Sequence, residues 1–309
     1  MTAPPLRSLR AVLRSEFPGV AARSVRRLAG GWDFRTLEVD RRWIFRIPLR
    51  AGYEVRLARE FALLPLLARR LPVPLPDYRL RRGPTHDFPH SIGGYRRLGG
   101  VRVDRAGLSP EVLARAGAEL GRVVRALHRI PSDPLVRGGL PFRSARTVRA
   151  GVARWCRRVR NEVAPRLNAT SRERFDRLAR RLTSSALQTY SPVATHHDLR
   201  PAHVLVNSAS GRISGLIDWG DLEFGDPAFD FGVMAAKPYL GPAMLRAYGG
   251  PSDPGFLERA DGYRRLVASH GVVHANATGD RASRTRYLRA FLRALDSPGP
   301  AVRGASSNG

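Results

Sequence analysis

The sequence predicts an α+β protein of two lobes, a small one made of a sheet and one long helix, and a larger one that is mainly helical. Three observations carry this. In the first hundred residues, short runs rich in β-branched and aromatic residues alternate with turn signals around one amphipathic stretch. From residue 109 onward apolar residues recur at helical spacing through most of the chain. Between those helices, residues 195–230 hold short apolar runs and a dense set of carboxylates.

The small lobe, residues 1–98, opens with Leu6, Leu9, Val12 and Leu13 at helical spacing over residues 6–16. The runs SVRRL, FRTLEV and RWIFRIP then read as strands, separated by the turn signals Gly30-Gly31 and Asp40-Arg41-Arg42. YEVRLAREFALLPLLARRL reads as a helix whose apolar face carries Val55, Leu57, Phe61, Leu64 and Leu67; Pro72, Pro74 and Pro76 stop it. DYRL and GGYRRL complete the sheet, and Gly93, Gly94, Gly99 and Gly100 suggest a hinge into the second lobe, residues 99–309. There the helix SPEVLARAGAELGRVVRALHRI begins with Ser109 as N-cap, Pro110 at the first helical position and Glu111 in the first turn. Residues 145–188 hold two more helical patterns, and 228–295 are again mostly helical.

A chain of 309 residues that is 43% hydrophobic can bury substantial cores. It carries 53 basic against 26 acidic residues, a net charge of +27. All the basic residues except Lys237 are arginines, strewn over helical faces rather than gathered in runs interleaved with stacking aromatics. That distribution reads as a solvated basic surface and argues against a nucleic-acid partner. The single cysteine, Cys156, rules out an internal disulfide and any multi-cysteine zinc site. Residues 1–17 lack an uninterrupted apolar run, and no later segment approaches the roughly 18 uncharged apolar residues of a membrane span. The expected address is the cytoplasm, with no membrane partner.

Residues 191–235 reverse the sign of the chain: Asp198, Asp218, Asp221, Glu223, Asp226 and Asp230 stand against Arg200 and Arg212. Within this stretch VLV and RISGLI, joined by NSASG, read as a hairpin. Such a hairpin brings the histidine-rich loop carrying Asp198 toward the end of its second strand, where Asp218 follows. Two carboxylates so placed suit a general base with a metal ligand, a pair of glycosidase acids, or surface turns. Their spacing, with His203 five residues and Asp218 twenty residues after Asp198, repeats the layout of a kinase catalytic loop and its metal-binding aspartate.

HHDLRPAHVLV followed by GLIDWGDLEFGDPAFD resembles the aminoglycoside phosphotransferase family, small-molecule kinases with a protein-kinase-like fold, through its HxDxxxxN/H, IDxGD and GDPxxD elements. Histidine at the fifth position after the aspartate resembles the macrolide phosphotransferases and one branch of the aminoglycoside enzymes. GGWDFRTLEVDRRWIFRIP and LAREFALLPLLARRLPVPLPDY resemble the family's nucleotide loop, the strand after it and the following helix, so the resemblance covers nearly the whole chain.

The resemblance implies a two-lobed protein-kinase-like fold and a role for each matching residue. Asp198 accepts the proton of the substrate hydroxyl and His196 braces its loop. His203 and Asp218 hold Mg²⁺, while Asp226 and Asp230 are structural. Arg46 falls where protein kinases have a phosphate-gripping lysine, with Glu60 as its helix partner, and Gly30 and Gly31 approach the phosphates of ATP or GTP. His197 stands where the family usually has glycine. Asp221 and Glu223 are expected to draw in a cationic substrate, and Trp219 to line the site. The implied activity is phosphate transfer by a monomer to a hydroxyl-bearing antibiotic, an aminoglycoside first and a macrolide second. Another natural product or metabolite is an alternative acceptor, and a kinase-fold binding protein without turnover is an alternative function.

Overall fold

The computed structural model describes residues 6–28, 31–86, 88–187 and 190–297. In chain order its elements are α1 (Leu6–Glu16), β1 (Val25–Arg27), β2 (Phe34–Val39), β3 (Trp43–Pro48), α2 (Glu54–Ala68), β4 (Tyr78–Arg82), β5 (Ile92–Arg96), β6 (Val101–Arg102), α3 (Pro110–His128), α4 (Ser132–Arg137), α5 (Ala145–Glu162), α6 (Ala169–Thr183), β7 (Val193–Thr195), β8 (Val204–Val206), β9 (Ile213–Leu216), β10 (Glu223–Gly225), α7 (Gly232–Ala235), α8 (Leu240–Tyr248), α9 (Phe256–Val267), α10 (His270–Thr278) and α11 (Arg281–Asp296). They form two compact units. Unit one comprises Met1–Gly107, Pro131–Leu140 and Ala202–Asp221; unit two comprises Leu108–Ile130, Pro141–Pro201 and Leu222–Gly309.

Unit one is built on a five-stranded sheet of order β1-β2-β3-β5-β4, with every neighbouring pair antiparallel. Strand alternation divides β3 between two faces. Phe45 and Ile47 join Leu9, Leu13, Phe17, Leu37, Val39 and Ile92 in a core beneath α1. Arg46 points to the opposite face, where it meets Glu60 of α2. Gly93 and Gly94 are not a hinge: both lie inside β5, paired with Arg46 and Phe45 of β3. A Cβ on Gly94 would sit 2.5 Å from the Phe45 ring, and one on Gly93 2.7 Å from Phe61. Bare backbone at these two positions lets aromatic rings pack directly on the sheet.

The expected hairpin is present as β8 and β9, extended on one edge by β6. Asn207 shapes its turn by accepting hydrogen bonds from the amides of Ala209 and Ser210, and Gly211 supplies the left-handed residue. At the open end the Ile217 amide donates to the carbonyl of His203 at 3.0 Å, which sets His203 beside Asp218.

Unit two is helical apart from the antiparallel pair β7–β10. Side-chain caps start four of its helices: Ser109 for α3, as the sequence suggests, and also Ser144 for α5, Asn168 for α6 and Asp280 for α11. The closest helix contact joins α3 to α8, through two glycines one turn apart. A Cβ on Gly117 would lie 2.3 Å from the carbonyl oxygen of Leu240, and one on Gly121 2.2 Å from that of Met244.

These glycines yield a test of the packing. Alanine ordinarily favours a helix interior by about 1 kcal/mol over glycine, but here the added methyl meets backbone that cannot rotate away. Gly117→Ala and Gly121→Ala are each expected to lower stability by about 1–3 kcal/mol, read as a reduced denaturation midpoint with an unchanged slope.

Candidate active site

In unit one the site forms around one buried guanidinium. Arg46 donates to Glu60 Oε1 at 2.5 Å and to Asp218 Oδ1 at 2.7 Å, and its side chain is only 7% exposed. Phe34 lies beneath it, with the guanidinium carbon 4.1 Å from the ring centroid. Burial works against its charge, but Glu60 and Asp218 outweigh that effect and hold Arg46 protonated. The other oxygen of Glu60 accepts from the Tyr78 hydroxyl at 2.6 Å, so the buried carboxylate is bonded on both sides. Gly220 closes over this group: a Cβ there would lie 3.2 Å from Glu60 Oε1 and 3.6 Å from Phe34.

Asp218 sits just past β9 in a left-handed conformation, φ 68°. Its Oδ2 lies 3.4 Å from His203 Nε2, and its carboxylate is 39% exposed. A carboxylate suits Mg²⁺, which prefers oxygen; the imidazole is the softer partner and fits that ion better through a water than directly. Arg56, one helical turn before Glu60 on α2, bonds both Asp33 and Asp221, the latter at 2.6 Å. Gly31 is left-handed at φ 86°, as a tight approach to phosphate or a turn requires; Gly30 lies outside the described residues.

Trp219 corrects the sequence expectation. It is 1% exposed and its indole N–H donates to the Leu216 carbonyl at 2.9 Å, so it is a core residue and lines no cleft. The bond back to Leu216, the last residue of β9, holds the large ring against the strand end and out of solvent.

Unit two carries the Asp198 loop. The amides of His196 and His197 each donate at 2.9 Å to one oxygen of Asp230. His128 Nε2 lies 3.1 Å from Asp230, and its Nδ1 lies 2.9 Å from the Tyr248 hydroxyl. Desolvation disfavours the charge on fully buried Asp230, yet His128 and the loop amides more than compensate and hold the carboxyl below its ordinary range. His196 is fully buried and its Nδ1 accepts from the Asp198 amide at 3.3 Å. It is a positioning residue, out of reach of a substrate. Asp198 keeps 19% of its side chain exposed, and its Oδ1 accepts from Arg200 Nε at 2.8 Å.

His197 is also left-handed, φ 64°, which costs a non-glycine residue about 1 kcal/mol. Its ring stacks on Phe229 and its Nε2 lies 3.3 Å from Glu223, which in turn accepts from Arg143 at 2.7 Å. Asp221 and Glu223, read as free acids that would attract a cation, are thus each held by an arginine. Deeper in unit two, Asp226 caps the following turn at the Ala228 amide and accepts from Arg259 at 2.6 Å and from Tyr263 at 2.8 Å. Arg259 also binds Asp253.

Sequence reasoning missed Tyr78, Arg56, Arg143, Arg200 and Arg259. Arg200 alone had a local signal, since it stands two residues from its partner Asp198; the helical spacing of Arg56 points to Glu60, whereas it bonds Asp33 and Asp221.

The Asp230 anchor has a signed pH dependence. Because its folded pKa is depressed, its stabilisation is complete above the unfolded carboxylate value of about 4 and is lost only as pH falls through the folded value. Asp230→Asn is expected to lower stability at pH 7 by about 3 kcal/mol, since an amide donor then opposes a loop N–H in a buried site. The gap between the two proteins should narrow in denaturation curves recorded below about pH 4.

Comparison with known proteins follows the same pattern. Over 177 residues the chain is 29% identical to viomycin phosphotransferase from Streptomyces vinaceus, covering 56% of this chain and 59% of that protein. The chain therefore spans about three-fifths of the length of the curated relative it matches. Its fold is similar to that of APH(2″)-IIIa in the complex with GDP and kanamycin, with a TM-score of 0.84 at 20% identity, covering 94% of this chain and 98% of that one. It is also similar to the macrolide 2′-phosphotransferase apoenzyme from Brachybacterium faecium, with a TM-score of 0.70 at 26% identity and coverage of 94% and 98%. Residues 24–266, most of the chain, match the phosphotransferase enzyme family, and the protein belongs to that family.

Proposed function

We propose that the protein is a nucleoside-triphosphate-dependent O-phosphotransferase that acts on a hydroxyl of an antibiotic-type small molecule, with ATP or GTP as donor and Mg²⁺ as cofactor. One observation carries the reading: Arg46 is bonded at once to Glu60 and to Asp218. A fixed cation beside an exposed carboxylate suits a triphosphate held with its metal, and the planar guanidinium can bond carboxylate and phosphate together.

Within this reading Asp198 accepts the proton of the acceptor hydroxyl as the oxygen attacks the terminal phosphoryl group. Arg200, bonded to one of its oxygens, fixes the orientation of the carboxylate. Asp230 holds the loop through two amides, so Asp198 is set before an acceptor arrives. Asp218 and His203 would hold Mg²⁺ in unit one; the chain runs from Asp198 to His203 in five residues. The ion, when bound with the triphosphate, neutralises the charge that develops on the phosphoryl oxygens.

The acceptor class turns on free carboxylates, which a polycationic aminoglycoside needs. Every described acid after residue 231 is committed: Asp253 to Arg259, Glu258 to Arg181, Asp261 to Arg264 and Arg265, Asp280 to the α11 cap, and Asp296 to Arg174. This favours an acceptor of low positive charge, of the macrolide kind, over the aminoglycoside that the sequence put first.

The test is phosphate transfer from labelled ATP and GTP across aminoglycosides, macrolides, viomycin and nucleoside antibiotics. Transfer to at least one compound is expected, with loss on chelation of Mg²⁺ and a drop of at least about a hundredfold in Asp198→Ala. Nucleotide binding without transfer to any compound would instead support a kinase-fold binding protein. Separately, Arg46→Ala should raise the nucleotide KM and lower stability by about 3 kcal/mol, because Glu60 is then left buried without its cation.

A further inference from the structure

We infer that His197 is an acceptor platform: the open face of its imidazole, next in the chain to Asp198, seats the apolar face of a cyclic hydroxyl compound of low positive charge. The inference rests on the phosphotransferase reading and names the acceptor subsite within it.

The ring is fixed from three directions. Its centroid lies 3.9 Å from that of Phe229 with the planes 6° apart, so one face is covered. Nδ1 lies 3.3 Å from the Thr195 hydroxyl and Nε2 lies 3.3 Å from Glu223. The side chain is nonetheless 25% exposed. With one face stacked and both nitrogens engaged, we assign the exposed quarter of the side chain to the opposite face of the ring. The left-handed backbone at φ 64° would suit glycine, which would present nothing there.

The chemistry of the surroundings selects the ligand. Glu223, the acid on this patch, is shared between Arg143 and His197, so its charge is already answered. Burial, followed by the positive fields of His197 and Arg200, pushes His270 down to about 4, so it stands neutral beside the Trp155 ring at 4.2 Å. Around the stacked His197 ring the acid is thus paired, and Arg200 of the same loop is basic, which suits a ring with an apolar face and repels a polycation.

The test uses the full chain with His197→Gly and His197→Phe. The glycine variant should raise the acceptor KM about three- to tenfold, the range expected for a lost ring contact, with no rise in the nucleotide KM. The phenylalanine variant keeps a flat face, loses the bond to Glu223, and should restore most of the acceptor KM. A purely structural role predicts a lower melting temperature and reduced kcat in both variants, with no rescue by phenylalanine; that result, or an unchanged acceptor KM in the glycine variant, overturns the platform. Acceptor binding to the ADP·Mg²⁺-loaded protein by calorimetry separates the two readings. If wild type binds a cyclic hydroxyl compound without transfer, the phosphotransferase reading fails while weaker binding in His197→Gly still supports the platform. If wild type binds none, the platform is overturned.

Discussion

A buried guanidinium is the constraint on which unit one depends. Arg46 sits on a central strand with 7% of its side chain exposed, and an uncompensated charge there would be too costly to keep. Its solution draws in three elements: β3 supplies the arginine, α2 the carboxylate of Glu60, and the end of the β8–β9 hairpin the carboxylate of Asp218. Tyr78 satisfies the remaining oxygen of Glu60. The same bonds that make the charge tolerable therefore fix the one exposed carboxylate against a permanent cation. Stability and the placing of Asp218 are one arrangement, since losing Arg46 or Glu60 would leave the other as a buried charge.

Unit two solves a parallel problem with two buried aspartates. Asp230 spends both oxygens on the amides of the Asp198 loop, and Asp226 anchors Arg259 and Tyr263 behind it. Neither group reaches solvent. Asp230 acts on the backbone, holding the loop at the amides of His196 and left-handed His197, whereas Asp226 ties the following turn to α9. His196 adds a third fixed point through the Asp198 amide. Asp198 is thus presented on a surface whose flexibility has been removed in advance.

Charge in this protein is local rather than global. A net charge of +27 describes the whole surface, yet the acids singled out by the sequence have arginine partners: Asp221 with Arg56 in unit one, and Glu223 with Arg143 and Asp198 with Arg200 in unit two. An acidic cleft read from composition becomes a set of matched pairs once the side chains are placed. Beside these pairs, unit two stacks the His197 ring on Phe229 and packs Trp155 edge-on against His270.

The sequence alone determined most of the elements and singled out the candidate groups, because both are encoded in short-range order. Period-two and period-3.6 patterns located the strands and helices, turn chemistry placed the β8–β9 hairpin, and the Asp198, His203, Asp218 spacing identified the loop and the strand end. Partner choice belonged to tertiary structure. Arg46 and Asp218 are 172 residues apart, and Glu223 and Arg143 80 apart, so in an arginine-rich chain no local pattern says which arginine meets which acid. Burial was equally hidden: Trp219 follows Asp218 directly and points into the core, and Gly93 and Gly94 look like a hinge yet lie flat beneath aromatic rings. The left-handed backbone at His197 left one trace in the sequence, its place where the resembling family usually has glycine, but the groups that hold it, Asp230 at its amide and Phe229 and Glu223 at its ring, reach it only after the chain has folded.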